Sequence, residues 1–247
     1  MANIDSRLIN QVLVLTIDRQ AQKNAINQQM YTELADQIQN ADSDPKVKSI
    51  VLTGKGEMFT AGNDINDFLK LDDSEQSTAL HFLDAISTNK TPLIAAVNGP
   101  AIGIGLTLLL HCDLVFCARA ATFTAPFAKL GLVPEAASSL LLPIAVGKAM
   151  ANDILLAGRK LNSEEALRCG LVSRVYEDDT LFENTLEVAM QITNMLPDAV
   201  MKTKRLVDVV WEEKIKNKMQ EEFIDFSAQL QSSDFKQSMQ MFLNKKS

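Results

Sequence analysis

Apolar side chains along this chain follow two rhythms. VLVLTID at 12–18 and SIVLTG at 49–54 are short runs rich in β-branched residues, which predicts strands. Between them Met30, Leu34, Ile38 and Ala41 recur at helical spacing behind Asn27, whose short amide suits an N-cap. PLIAAVNGP at 92–100 reads as a buried strand closing on an Asn-Gly turn, and small residues then lead into LTLLL. DLVFCA at 113–118 and ATFTA at 121–125 predict two more strands. Helices alternating with buried strands imply an α/β domain with largely parallel pairing.

Beyond residue 125 the helical rhythm takes over. Segments 135–145, 147–157, 163–169, 178–195 and 198–213 read as helices, with LVSRV at 171–175 as a strand. The stretch 214–244 sets Ile215, Met219, Phe223, Phe226, Leu230, Phe235 and Met239 against a charged remainder. Such an amphipathic helical pair needs a surface to cover, either its own core or a neighbouring subunit.

Composition narrows the function. The 247 residues suit one large domain, and 47% hydrophobic with 22% charged is an ordinary globular balance. A net charge of −7 and no basic face beyond KTKR at 202–205 and KK at 245–246 exclude a nucleic-acid partner. Any anionic ligand must therefore be held by local donors. Cys112, Cys117 and Cys169 are odd in number and lack CxxC spacing, which predicts reduced, buried thiols. The opening MANIDSRLINQ has no signal-peptide core and no run reaches membrane-spanning length, so a cytoplasmic protein without a membrane partner is expected.

Several motifs lead nowhere. Gly99, Gly103 and Gly105 do not make GxGxxG, because position 108 is Leu, and no P-loop follows. There is no GxSxG elbow. His81 and His111 lack metal-cluster spacing and read as structural, so no metal is expected. Ser138 and Ser139 read as small packing residues without an adjacent base.

Three stretches carry chemistry. MFTAGNDI at 58–65 follows one strand and AVNGPAIGIGLTLLLHCDL at 96–114 contains the end of another, so each is a small-residue passage from strand to helix. Two such turns at one end of a parallel sheet can aim two backbone N–H groups at a single oxygen, as an enolate requires. The third, LGLVPEAASSLLLP at 130–143, sets Glu135 among apolar and small residues. Pro134 and Glu135 could simply open a helix, with the acid answering its dipole. Alternatively Glu135 is a proton-transfer group facing an apolar substrate pocket.

VLVLTIDR, KNAIN, VLTGKGEMFTAGNDI, AVNGPAIGIG and HCDLVFCARAATFTAPFAKLGLVPEAASS, in this order, resemble the crotonase family, the enoyl-CoA hydratase/isomerase superfamily. The resemblance covers nearly the whole chain. It implies an α/β fold with a spiral ββα core over 1–195 and a helical trimerisation region over 196–247, assembled as homotrimers or dimers of trimers. It also implies an acyl-CoA thioester substrate and no further cofactor, coenzyme A entering with the substrate. The thioester oxygen would meet the N–H groups of Ala61 and Ile104. Ala61, Gly62, Asn63, Asp64 and Ile65, with Gly103, would line the coenzyme A path, and Lys23, Asn24 and Ala25 its other side.

The two glutamates of hydratase-like members fall on Thr107 and Phe127 here, so both acids are missing. Glu135 matches the single glutamate of Δ3,Δ2-enoyl-CoA isomerases. The resemblance therefore implies isomerisation of 3-enoyl-CoA to trans-2-enoyl-CoA, with Glu135 moving a proton from C2 to C4. Hydration or thioester hydrolysis, and a non-catalytic acyl-CoA-binding subunit, stay open as alternatives. Acyl-chain preference rests on residues around Leu69, Leu80 and Phe82.

Overall fold

Two layers of helix enclose one sheet because its strands are apolar on both faces. The structure, a computed structural model, describes residues 3–68 and 73–244. Strands β1 (Ile4–Ile9), β2 (Val12–Ile17), β3 (Ser49–Gly54), β4 (Leu93–Val97), β6 (Leu114–Ala118) and β9 (Arg174–Tyr176) form a six-stranded sheet in the order β1-β2-β3-β4-β6-β9. Only β1 runs antiparallel; the register from β2 to β9 is parallel throughout. A second, three-stranded sheet joins β5 (Ala101–Ile102), β7 (Thr122–Thr124) and β8 (Leu161–Asn162).

Strand periodicity divides the core. Leu13, Leu15, Ile50, Leu52, Leu93, Ala95 and Cys117 face the main cluster with helix α1 (Gln28–Ser43) and α3 (Asp73–Thr88), while Val12, Val14, Val51, Ile94, Ala96 and Phe116 face the opposite side. There Leu181 and Ala189 of α8 (Leu181–Thr193) cover them. Burial on both faces is why these strands read as continuous apolar runs. The Asn27 side chain accepts from the Met30 amide at 2.9 Å, so the N-cap forms as the sequence predicts.

The remaining helices are α2 (Ile65–Phe68), α4 (Ile104–Thr107), α5 (Ser138–Val146), α6 (Lys148–Leu155), α7 (Ser163–Cys169), α9 (Pro197–Asp208), α10 (Glu212–Leu230) and α11 (Ser233–Asn244). The predicted helix over 198–213 is two helices, broken between Asp208 and Glu212. The strand predicted at 171–175 starts only at Arg174, because Leu171 and Val172 are packed into the core ahead of it. Helix 135–145 begins three residues late, at Ser138, which bears directly on Glu135. The C-terminal pair partly covers its own core: Leu230, Phe235 and Met239 are buried, and the Ser238 hydroxyl donates to Leu130 O at 2.6 Å.

Candidate active site

The two strand-to-helix loops leave the same end of the sheet and are stitched together. Thr60 N–H donates to Pro100 O at 3.2 Å, and Ile102 N–H returns a bond to Thr60 O at 3.1 Å. Gly62 stands at φ 90°, where a Cβ would come 2.7 Å from Ile102 O. Gly103 sits at φ 59°, ψ −120°, and its N–H donates to Thr124 O at 2.8 Å. Both conformations belong to glycine. On the other flank the loop runs beside residues 23–26, with Ile26 N–H on Gly62 O at 2.8 Å and Asp64 N–H on Ile26 O at 2.9 Å.

This pairing corrects one expectation. The N–H of Ala61 donates to Lys23 O at 3.0 Å, so it is already engaged. The bridge between Ile26 and Asn63 uses the polar groups of residues 62 and 64, which leaves the N–H of Asn63 without a partner among the described residues. Ile104 opens α4, so its N–H is an orphan of the first turn. The two open donors are thus Asn63 and Ile104.

Glu135 does not open a helix. It precedes a turn in which Ala136 and Ala137 both take left-handed conformations, φ 59° and 53°. Each costs an L-residue about 1 kcal/mol. Neighbours hold the turn in place. The Ser138 amide and hydroxyl donate to Glu135 O at 3.0 and 2.5 Å, and His111 Nε2–H donates to Ala136 O at 2.8 Å. Buried Glu222, from α10, accepts from the Ser139 amide at 2.8 Å. Burial lowers the pKa of His111 to about 4 although the Ala136 bond opposes the fall, so the ring donates as a neutral imidazole.

The Glu135 carboxylate accepts from Thr107 Oγ1 at 2.5 Å. Burial raises its pKa to about 8, the Thr107 bond opposes the rise, and the charge of Glu222 adds to it. The folded state holds this proton up to about pH 8, whereas an ordinary glutamate releases it near 4.5. Ionising the site therefore costs stability progressively across that window. Tyr31 of α1, also pushed up by burial and then by Glu135, donates to Asn63 Oδ1 and meets the Phe82 ring at 5.4 Å. Glu135, Thr107, Tyr31 and Asn63 thus share one linked neighbourhood.

The predicted coenzyme A loop divides into scaffold and open groups. Asn24 is fully buried, accepting from Arg19 N–H at 2.9 Å and donating to Lys55 O and Met58 O at 2.9 and 2.7 Å. Ala25 O accepts from Arg19 Nη1 at 3.0 Å, and Asp64 is ion-paired with Arg19. Ile65 packs on the core. Lys23 is exposed in a left-handed turn. Leu80 lies on α3 and Phe82 is buried there, while Leu69 lies outside the described residues. Among the described residues no cluster of three His, Cys, Asp or Glu side chains could hold a metal.

Sequence reasoning missed Glu222 and the donor role of Thr107. Glu222 stands at helical spacing with Met219, Phe226 and Leu230, an acid on the apolar stripe of α10. That misplaced charge was the available signal. Phe127, buried in the core, has no polar part in the site.

The chain matches the model of the Enoyl-CoA hydratase/isomerase family over residues 7–247. It is 34% identical to a probable enoyl-CoA hydratase of Mycobacterium leprae, across 94% of this chain and 91% of that protein. Enoyl-CoA delta isomerase 2 of Rattus norvegicus is also 34% identical, across 94% of this chain and 61% of the rat protein. The crystal structure of an enoyl-CoA hydratase/isomerase from Pseudoalteromonas atlantica superposes with a TM-score of 0.96 at 47% identity, covering 99% of this chain and 98% of that one.

Proposed function

Because this chain belongs to the enoyl-CoA hydratase/isomerase family, we propose that it isomerises 3-enoyl-CoA to trans-2-enoyl-CoA with Glu135 as the proton carrier. The observation that carries this reading is the state of Glu135: a base near pKa 8, held by Thr107 where hydratase-like relatives would have a second acid. The thioester oxygen would accept from the N–H groups of Asn63 and Ile104. Glu135 would take the C2 proton as the electron pair passes into a dienolate, then return it to C4 as the double bond moves into conjugation. Both half-steps need one base, and a pKa close to working pH suits acceptance and return alike. The open donors stabilise charge that appears only along the reaction path.

Hydration of 2-enoyl-CoA by Glu135 and a water is the second reading, and the hydratase relative from Mycobacterium leprae favours it. For assembly we infer a homotrimer or a dimer of trimers. The exposed apolar face of α9 and its flanks, with Leu196, Leu206, Val207 and Val210, supports that, and residues 196–247 would form the assembly region. The unpaired Cys112, Cys117 and Cys169 support a reducing, cytoplasmic setting.

A time course of conjugated-thioester absorbance from trans-3-enoyl-CoA tests the proposal, with hydration of trans-2-enoyl-CoA run in parallel. Growth is expected in the parent, with kcat/KM rising with pH through about 8 as Glu135 ionises. Glu135→Gln should lose about 10³-fold. Loss of the 2-enoyl signal without isomerisation would hand the function to the hydratase reading. Binding without turnover, unchanged by Glu135→Gln, would make the protein a carrier.

A further inference from the structure

Glu222 is 94% buried within a helix whose neighbouring acids, Glu221 and Asp225, are exposed. Its Oε1 takes the Ser139 amide, while Oε2 is buried without a hydrogen-bond partner among the described residues. A carboxylate desolvated in that way is costly, and α10 has solvent-facing positions to spare. Its placement coincides with a gap elsewhere. Helix α5 has no side-chain cap of its own, because Ala137 occupies the N-cap in a left-handed conformation. Glu222 supplies the missing acceptor from a different element, four residues beyond Glu135.

We propose that Glu222 is a positioning residue, which pins the Glu135–Ala136–Ala137 turn through the start of α5 and couples electrostatically to Glu135. The inference rests on Glu135 being the proton carrier. Burial raises the pKa of Glu222, while hydrogen bonds from Ser139 and the Ala137 amide and the charge of Lys218, one turn earlier on α10, oppose the rise. The negative charge of Glu222 raises the pKa of Glu135, because like charge disfavours the second ionisation. The other groups facing the pair are Tyr31 from α1 and His111 from the turn after α4, the latter neutral. Helix α5 has no charged side chain. His81 and Asp84 on α3, and Asp234 and Lys236 on α11, are ionisable groups on the other elements packed against α10. The C-terminal region thereby takes part in the chemistry of the core: displacing α10 would remove both the pin and the charge.

The test is carbon-13 NMR titration of the full-length protein labelled at glutamate carboxyls, with Glu135→Gln and Glu222→Gln identifying the two signals. Glu222→Gln keeps an acceptor for Ser139 and removes the charge. It should move the Glu135 step to lower pH by about 0.5 unit or more. The ascending limb of kcat/KM should follow, with KM within about twofold of the parent. Glu222→Ala should also lose kcat by roughly tenfold, which the Gln variant restores. An unmoved Glu135 step in Glu222→Gln, whatever the Ala variant does to Tm, would reduce Glu222 to a helix cap and overturn the proposal. If the parent fails to isomerise while the step still moves, the function assigned above falls and the coupling stands.

Discussion

The glycine-bearing loops and the turn at Glu135 both run the backbone through positive φ, and they do so by opposite means. In the loops the chain uses Gly62 and Gly103, for which φ of 90° and 59° carries no steric penalty. With no side chain to place, these loops leave the N–H groups of Asn63 and Ile104 open. At Glu135 the chain uses two alanines, and partners from three directions hold them: His111 after α4, Ser138 on α5 and Glu222 on α10. The loops are cheap and locally determined. The turn is strained and externally determined, which is how a carboxylate can be kept in one place despite having a flexible stem.

The sharpest break of the first half is Gly62→Ala. Its methyl would meet Ile102 O at 2.7 Å in a conformation L-residues avoid, and a carbonyl inside the stitched loops cannot swing away. A loss of about 2–4 kcal/mol is expected, read as a Tm lower by roughly 5–10 °C, together with loss of acyl-CoA binding. A variant melting with the parent would show that the loop conformation is not what the glycine secures.

Thr107→Val probes the second half more gently. The shape is retained and the 2.5 Å donor to Glu135 is removed. Since that bond lowers the pKa of Glu135, its loss should move the ascending limb of kcat/KM above about 8 and cut the rate at pH 7 by about tenfold. This displacement is opposite in sign to that expected for Glu222→Gln. Equal signs would mean that both variants merely loosen the site.

That contrast also explains what the sequence discloses. Glycines before helices and a lone acid in an apolar run are local signals, so 58–65, 96–114 and Glu135 can be picked out by eye. The strands β2, β3 and β4 are equally legible, since burial on both faces forces an unbroken apolar run. Strand β1 escapes because Ser6 and Arg7 lie exposed on an edge, and β5 and β8 are only two residues long. Choosing Asn63 over Ala61 as the open donor depends on Lys23 O taking the Ala61 N–H while the parallel bridge with Ile26 passes over that of Asn63, tertiary facts no motif encodes. Likewise Glu135 reads as a helix opener only while the hands of Ala136 and Ala137 are unknown.

The smallest effect is expected where strain looks most available for relief. Ala136→Gly would remove a left-handed penalty of about 1 kcal/mol, yet glycine adds about 0.4–1 kcal/mol of unfolded-state entropy. The site is 2% exposed, so a packed methyl is lost as well. These contributions nearly cancel, and stability by denaturant melt should stay within about 0.5 kcal/mol of the parent. The rate should fall by only a few fold, because His111 and Glu222 act on Ala136 O and the Ser139 amide, which the substitution leaves in place. A gain well above 1 kcal/mol would mean that the turn's strain is not offset by its partners. The division between a turn made by its own residues and one made by its neighbours would then fail at the position where it is drawn most finely.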